Sequence, residues 1–136
     1  MFINPPDNVI REILLQPQRI AVVGCSPHPS RDSNQIAQLL IDNGHTVIPV
    51  NPRVATIFGQ PCYPTLRSIN GPIDMVDIFR RPDQAGAVVD EAIAVGSRIV
   101  WMQLGVVDEA AAGRARAAGL VVVMDRCPAI EYRRLF

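Results

Sequence analysis

The sequence predicts an α/β domain built on a doubly wound, five-stranded parallel sheet, and three observations carry that expectation. Apolar, β-rich runs recur at Ile20–Val23, Thr46–Val50, Met75–Phe79, Ile99–Met102 and Leu120–Met124, with starts 26, 29, 24 and 21 residues apart. That spacing leaves room for a crossover helix between successive strands. The segments Asn34–Asn43, Asp83–Val95 and Asp108–Ala118 have helical periodicity, and each runs directly into a glycine, Gly44, Gly96 or Gly119. A glycine just past a helix end takes the left-handed conformation without a Cβ clash. The strands, finally, are continuously apolar rather than alternating, as expected of a sheet covered on both faces.

In chain order, an N-terminal helix is expected over Asp7–Gln16, ahead of the first strand. The first strand meets Gly24 and opens through a polar loop into the helix that starts near Ser33 and Asn34. The crossover from Ala55 to Asp74 is broken by Gly59, Pro61, Pro64, Gly71 and Pro72, so it has room for only a short helix near Leu66. A last turn of helix, Ala129–Leu135, closes the chain. Right-handed crossovers favour a Rossmann-like strand order of 3-2-1-4-5. At 136 residues the chain forms one domain, residues 1–136, large enough to bury a core without disulfide staples.

Composition narrows the classes of function. Thirteen acidic and thirteen basic residues balance, with no basic run and few aromatics, which argues against nucleic acid as a partner. The N-terminal Met1-Phe2-Ile3-Asn4-Pro5-Pro6-Asp7 lacks a signal-peptide pattern, and no apolar run is long enough to span a bilayer, so a soluble, cytoplasmic protein is expected. Cys25, Cys62 and Cys127 are widely spaced and odd in number, which fits neither a disulfide framework nor a metal pair. They read as free thiols.

The stretch from Arg19 to Ile41 carries the strongest functional signal. A strand, a glycine and a helix in succession form phosphate-binding architecture, because the free N–H groups and positive dipole end of the helix point at an anion over the strand's end. Ser33 is expected to cap that helix. The dinucleotide fingerprint G-x-G-x-x-G keeps only its first glycine, with Ser26 and Pro29 at the other two positions. A longer, stiffer loop is implied, contacting phosphate through hydroxyls, backbone N–H groups and the guanidinium of Arg31. In a parallel sheet, ligands sit outside the carboxyl ends of the strands. An NAD-binding domain places an acid after the second strand, whereas this chain has Asn51, Pro52 and Arg53, which suit a nucleotide with an extra ribose phosphate. NADP and coenzyme A both fit, but NADP chemistry usually needs a substrate domain for which the chain is too short.

The segments Ala21-Val22-Val23-Gly24-Cys25-Ser26-Pro27, Pro29-Ser30-Arg31-Asp32-Ser33, Val50-Asn51-Pro52, Asp77-Ile78-Phe79-Arg80-Arg81-Pro82, Trp101-Met102-Gln103-Leu104-Gly105-Val106 and Asp125-Arg126-Cys127 stand in order at strand exits. Over nearly the whole chain this pattern resembles the CoA-binding protein family, whose fold matches the nucleotide-binding domain of the succinyl-CoA synthetase α subunit. The resemblance implies coenzyme A as ligand. It implies that Gly24, Ser26, Arg31 and Ser33 hold the diphosphate, Asn51, Pro52 and Arg53 the 3′-phospho-adenosine side, and Phe79, Arg80 and Gln103 the ligand's further course. Cys25 departs from the alanine common in the family and would set a thiol beside the ligand. With Asn34, these residues make up the candidate ligand-binding set.

Other residues read more plainly. His28 is an exposed loop histidine, His45 is structural, and one of Arg80 and Arg81 faces the ligand while the other faces solvent. Trp101 and Phe79 pack in the core, and Cys127 is buried. Asp74, Asp77 and Asp125 are scattered and form no acid–base pair. The expectation is a CoA- or acyl-CoA-binding module without catalysis of its own. Alternatives are an NADP-binding or CoA-ligase-like enzyme component that needs a partner chain, or a CoA-responsive regulator that self-associates, as a homodimer, through Met1-Phe2-Ile3.

Overall fold

The computed structural model describes all residues from Met1 to Phe136. Its elements run in the order α1 (Asp7–Leu15), β1 (Arg19–Val23), α2 (Asp32–Asp42), β2 (Thr46–Val50), β3 (Thr56–Ile57), β4 (Gln60–Pro61), a 3-10 turn (Leu66–Ser68), β5 (Met75–Ile78), α3 (Pro82–Ala94), β6 (Ile99–Met102), α4 (Glu109–Ala117), β7 (Val121–Met124) and α5 (Pro128–Leu135). Five strands form a parallel sheet in the order β2-β1-β5-β6-β7, and β3 and β4 form a separate two-stranded hairpin. Every expected strand and helix is present, with bounds shifted by a residue or two. No helix is long and apolar enough to cross a membrane.

The doubly wound parallel sheet is as expected, but its order corrects the sequence reading. Counting only the strands of the large sheet, the order is 2-1-3-4-5 rather than 3-2-1-4-5. The third of these strands, β5, pairs with β1, which leaves β2 at the edge. Pro49 supplies the physical reason. The Pro49 carbonyl accepts from Tyr63 N at 3.0 Å on the outer side of β2, where the Asn51 N–H also donates to Tyr63 O at 2.9 Å. Proline lacks the N–H that a full strand partner would need on that side, so β2 is confined to an edge. The irregular crossover covers that edge with one bridge between Val50 and Tyr63.

Each face of the sheet is covered by its own helices. On one face α3 and α4 pack Ala85, Val89, Ala92, Ala111, Ala112 and Ala115 against Val76, Ile78, Val100, Met102 and Val122. On the other, α1, α2 and α5 cover Ile20, Val22, Val47, Met75, Trp101 and Val123. From β1 the chain crosses over one face to β2, and from β5 it crosses over the other face to β6 and β7. The switch point therefore lies between β1 and β5, where their exits diverge and a crevice must open.

The ends of the chain are tied down. Asn4 exchanges two hydrogen bonds with the backbone of Met124, at 2.8 and 2.9 Å. Phe2 packs partly buried on the chain's own core under the guanidinium of Arg116, 4.1 Å from the ring centre, while Met1 and Ile3 beside it are exposed. The buried Glu131 of α5 is paired with Arg126 and Arg134, each at 2.9 Å. His45 is structural, as expected: Nδ1 accepts from Gln18 N at 3.0 Å and Nε2 meets the Tyr132 hydroxyl at 2.8 Å, which donates in turn to Leu14 O.

Candidate functional site

At the switch point lies a cleft of about 850 Å³ over the exits of β1, β5 and β6. Gly24 opens it. With φ at +84°, this residue needs the left-handed region, and a Cβ there would lie 2.2 Å from the Phe79 carbonyl oxygen. The two strand exits thus touch backbone to backbone, and Phe79 N donates to Val23 O at 2.9 Å.

The loop from Gly24 to Asp32 is held by its own polar side chains. Ser33 Oγ accepts from Ser26 N at 2.9 Å, Asn34 Nδ2 donates to Ser26 O at 2.9 Å, and Ser26 Oγ accepts from His28 N at 3.1 Å. Asn51 reaches across from β2, donating through Nδ2 to Cys25 O and accepting from Arg53 N through Oδ1, both at 2.9 Å. Ser33 is therefore not the expected cap. The capping position is Arg31, α2 starts at Asp32, and no side chain caps it. The Ser33 hydroxyl is instead spent on the loop, which leaves the N–H groups of Asp32, Ser33 and Asn34 without partners in the chain.

Three helices start at this cleft. The first residues of α2, of α3 (Arg81 and Pro82) and of α5 (Cys127 and Ala129) all line it. Each thereby sets the positive end of its dipole at the cleft. Arg31 and Arg80 line it as well, and the side chain of neither pairs with any group of the chain, whereas Arg81 pairs with Asp83 at 3.3 Å. Such a wall favours an anion carrying more than one charge. Asp32, Ser30 and Gln35 also line it, and a less polar part of the lining is formed by Phe79, Leu104, Val106, Ile36 and Ala129.

Of the expected ligand-binding residues, Gly24, Ser26, Arg31, Ser33, Phe79, Arg80 and Gln103 come together around this one cleft. Asn34, Asn51, Pro52 and Arg53 do not line it. Asn34 borders a second hollow of about 720 Å³ on the other side of the loop, between α2 and the β3–β4 turn at Phe58. Pro52 and Arg53 stand exposed at the exit of β2. Cys25 corrects the expectation of a thiol beside the ligand: its side chain is fully buried in the core beneath α2. Burial first, then the neighbouring Cys62 and Asp77, push its pKa up to about 12, which makes it a poor nucleophile. Cys127, expected to be buried, is half-exposed and lines the cleft.

Asp77, read from the sequence as one of several scattered acids, stands apart in the structure. It lies in β5 in register with Val22 of β1 and Trp101 of β6, without solvent exposure, and burial raises its pKa well above the carboxylate range. Its side-chain partner is Gln103, whose NH₂ lies 2.8 and 3.3 Å from the two carboxyl oxygens when the amide is turned to satisfy both groups. The available signal was an acid within the otherwise apolar run Met75–Ile78.

The fold and its switch-point cleft define a doubly wound α/β protein whose strand exits face a ligand crevice. Residues 18–133 match the CoA binding domain, so the chain belongs to the CoA-binding domain family. It is 39% identical over 124 residues to YneT of Bacillus subtilis, covering 91% of this chain and 92% of that protein. A solved structure from Pyrococcus horikoshii OT3 superimposes with a TM-score of 0.90 at 38% identity, covering 99% of each chain. An ADP-forming acetate–CoA ligase of Archaeoglobus fulgidus is 37% identical over 94 residues, which are 60% of this chain but 14% of that enzyme.

Proposed function

We propose that the switch-point cleft binds coenzyme A or an acyl-CoA through its diphosphate, as a binding module without catalysis of its own. One observation carries the reading. The starts of α2, α3 and α5 converge with the unpaired guanidiniums of Arg31 and Arg80 on one cleft, in a chain whose family is that of CoA-binding domains. Phosphates suit the helix starts and arginines. The apolar part of the lining, with Phe79, Leu104 and Val106, suits the less polar arm of the same ligand. Ligand holding rather than chemistry is favoured because neither His28 nor His45 is among the residues that line the cleft, and the buried Cys25 thiol is held protonated.

Native mass spectrometry of the purified protein tests this by reporting a retained ligand and the oligomeric state together. Calorimetry with coenzyme A, dephospho-CoA and NADP then ranks the ligands. Saturable binding of coenzyme A ahead of NADP is expected. Tighter binding of NADP, or no binding of coenzyme A, would sink the reading.

A further inference from the structure

Asp77 is the only acidic residue in the five strands of the parallel sheet. A carboxyl group without solvent exposure is unfavourable in such a place unless it is hydrogen-bonded. Its only side-chain partner is the amide of Gln103, a residue 5% exposed that nevertheless lines the cleft. The Gln103 backbone is itself held, because its N–H donates to Ile78 O and its carbonyl accepts from Val106 N at 2.8 Å. With the NH₂ turned to Asp77, the side-chain oxygen of Gln103 takes the opposite side of the amide, in a residue that lines the cleft.

We propose that Asp77 is a positioning residue for the ligand: by accepting the Gln103 amide protons it presents the Gln103 side-chain oxygen to the cleft, where that oxygen accepts an amide N–H of the pantetheine arm. The inference rests on the reading of the cleft as a CoA site. An outward carbonyl oxygen repels phosphate, so this position cannot serve the diphosphate, which the helix starts and arginines attract. The apolar neighbours Leu104, Val106 and Phe79 match the methylene and methyl groups of the arm. Among the ligand's groups, the arm's amides carry N–H donors suited to such a place. Both protonation states of Asp77 keep an oxygen able to accept from the amide.

The experiment compares coenzyme A with 3′-phosphoadenosine 5′-diphosphate, which has the phosphates but no arm, by calorimetry on the wild type and on Asp77→Leu, Asp77→Asn and Gln103→Leu. Asp77→Leu and Gln103→Leu should weaken coenzyme A about tenfold, the scale of one hydrogen bond, while 3′-phosphoadenosine 5′-diphosphate stays within about twofold. Asp77→Asn, which keeps an acceptor in the same place, should retain most of the affinity. Thermal melts should show Asp77→Leu folded but less stable than the wild type, because the Gln103 NH₂ loses its acceptor, so the split between coenzyme A and 3′-phosphoadenosine 5′-diphosphate is what separates positioning from a structural role. Unchanged coenzyme A affinity in both Leu variants, or equal weakening of both ligands, would overturn the positioning role alone. Failure of the wild type to bind either ligand would instead overturn the reading of the cleft, and this inference with it.

Discussion

Replacing Gly24 by alanine should be among the most destabilising single changes in the molecule. Two separate effects contribute. A φ of +84° places any L-residue in the left-handed region, at about 1–2 kcal/mol. The added Cβ would also meet the Phe79 carbonyl oxygen at 2.2 Å, and that atom is backbone in the turn between β5 and α3, so it cannot rotate away. Relieving the overlap must spread the exits of β1 and β5, for which overpacking of about 1–3 kcal/mol sets the scale. Gly44→Ala is the control, since its φ is +89° and nothing lies within 4 Å of the added Cβ, so only the first effect applies. Urea unfolding monitored by circular dichroism should give a loss of about 3 kcal/mol for Gly24→Ala and about 1 kcal/mol for Gly44→Ala. Equal losses in the two variants would refute the close approach of the strand exits, and with it the geometry from which the cleft is built.

Arg80→Ala should weaken coenzyme A by about 1.5–3 kcal/mol in calorimetry, the scale of a charge-assisted hydrogen bond, and should flatten the salt dependence of binding. Arg53→Ala should lower affinity for coenzyme A but not for dephospho-CoA; equal effects on the two would remove Arg53 from the 3′-phosphate. In site-resolved iodoacetamide labelling of the native protein, Cys127 should react and the buried Cys25 should not, with coenzyme A protecting Cys127. Labelling of Cys127 at the same rate with and without ligand would place the ligand elsewhere. Burial holds His45 below its ordinary value of 6.5, so between the folded and unfolded pKa values the unfolded chain binds more protons. The His45 contribution is thus present above about pH 6.5 and lost as the pH falls below it. Asp77, with its raised pKa, acts in the opposite sense, its contribution being present at low pH and lost as the pH rises. The readout is therefore the difference between wild type and His45→Gln at pH 7.5 and 5.5, which should shrink at the lower pH.

The layers of this fold were legible because they rest on local patterns. Apolar runs at crossover spacing located the strands, and Gly44, Gly96 and Gly119, all at positive φ, located the helix ends. Strand order depends on which edge a crossover chooses, and no periodicity reports that. Pro49 did report it, since a proline inside a strand marks an edge, but its apolar neighbours masked the signal. At the site, the residues around β1, β5 and β6 were found because strand exits are fixed by the ends of apolar runs. The direction of a side chain within a loop is not, and so Cys25 turned inward and Ser33 fell inside the helix rather than at its cap. Asp77 was read as one of several scattered acids, because only the register across three strands shows it to be buried beneath the cleft.

The polar residues of the β1–α2 loop divide into two groups, and the division explains how so short a loop can hold an anion. Ser26, Ser33, Asn34 and Asn51 direct their side chains at the loop's own backbone, at distances of 2.9 to 3.1 Å. The Arg31 guanidinium and the first-turn N–H groups of α2 have no partners within the chain. The first group fixes the loop before any ligand arrives, so little ordering entropy is lost on binding, and the second group is left to face the ligand. Removing a member of the first group should therefore weaken binding without removing a contact. Ser33→Ala leaves the Ser26 N–H without its partner, which should lower stability by about 1–3 kcal/mol if that group stays dry. It should also slow association, since the loop must then be ordered as the ligand binds. A Ser33→Ala protein with wild-type stability and wild-type association rate would show that the loop takes its shape from its two prolines and Gly24 alone.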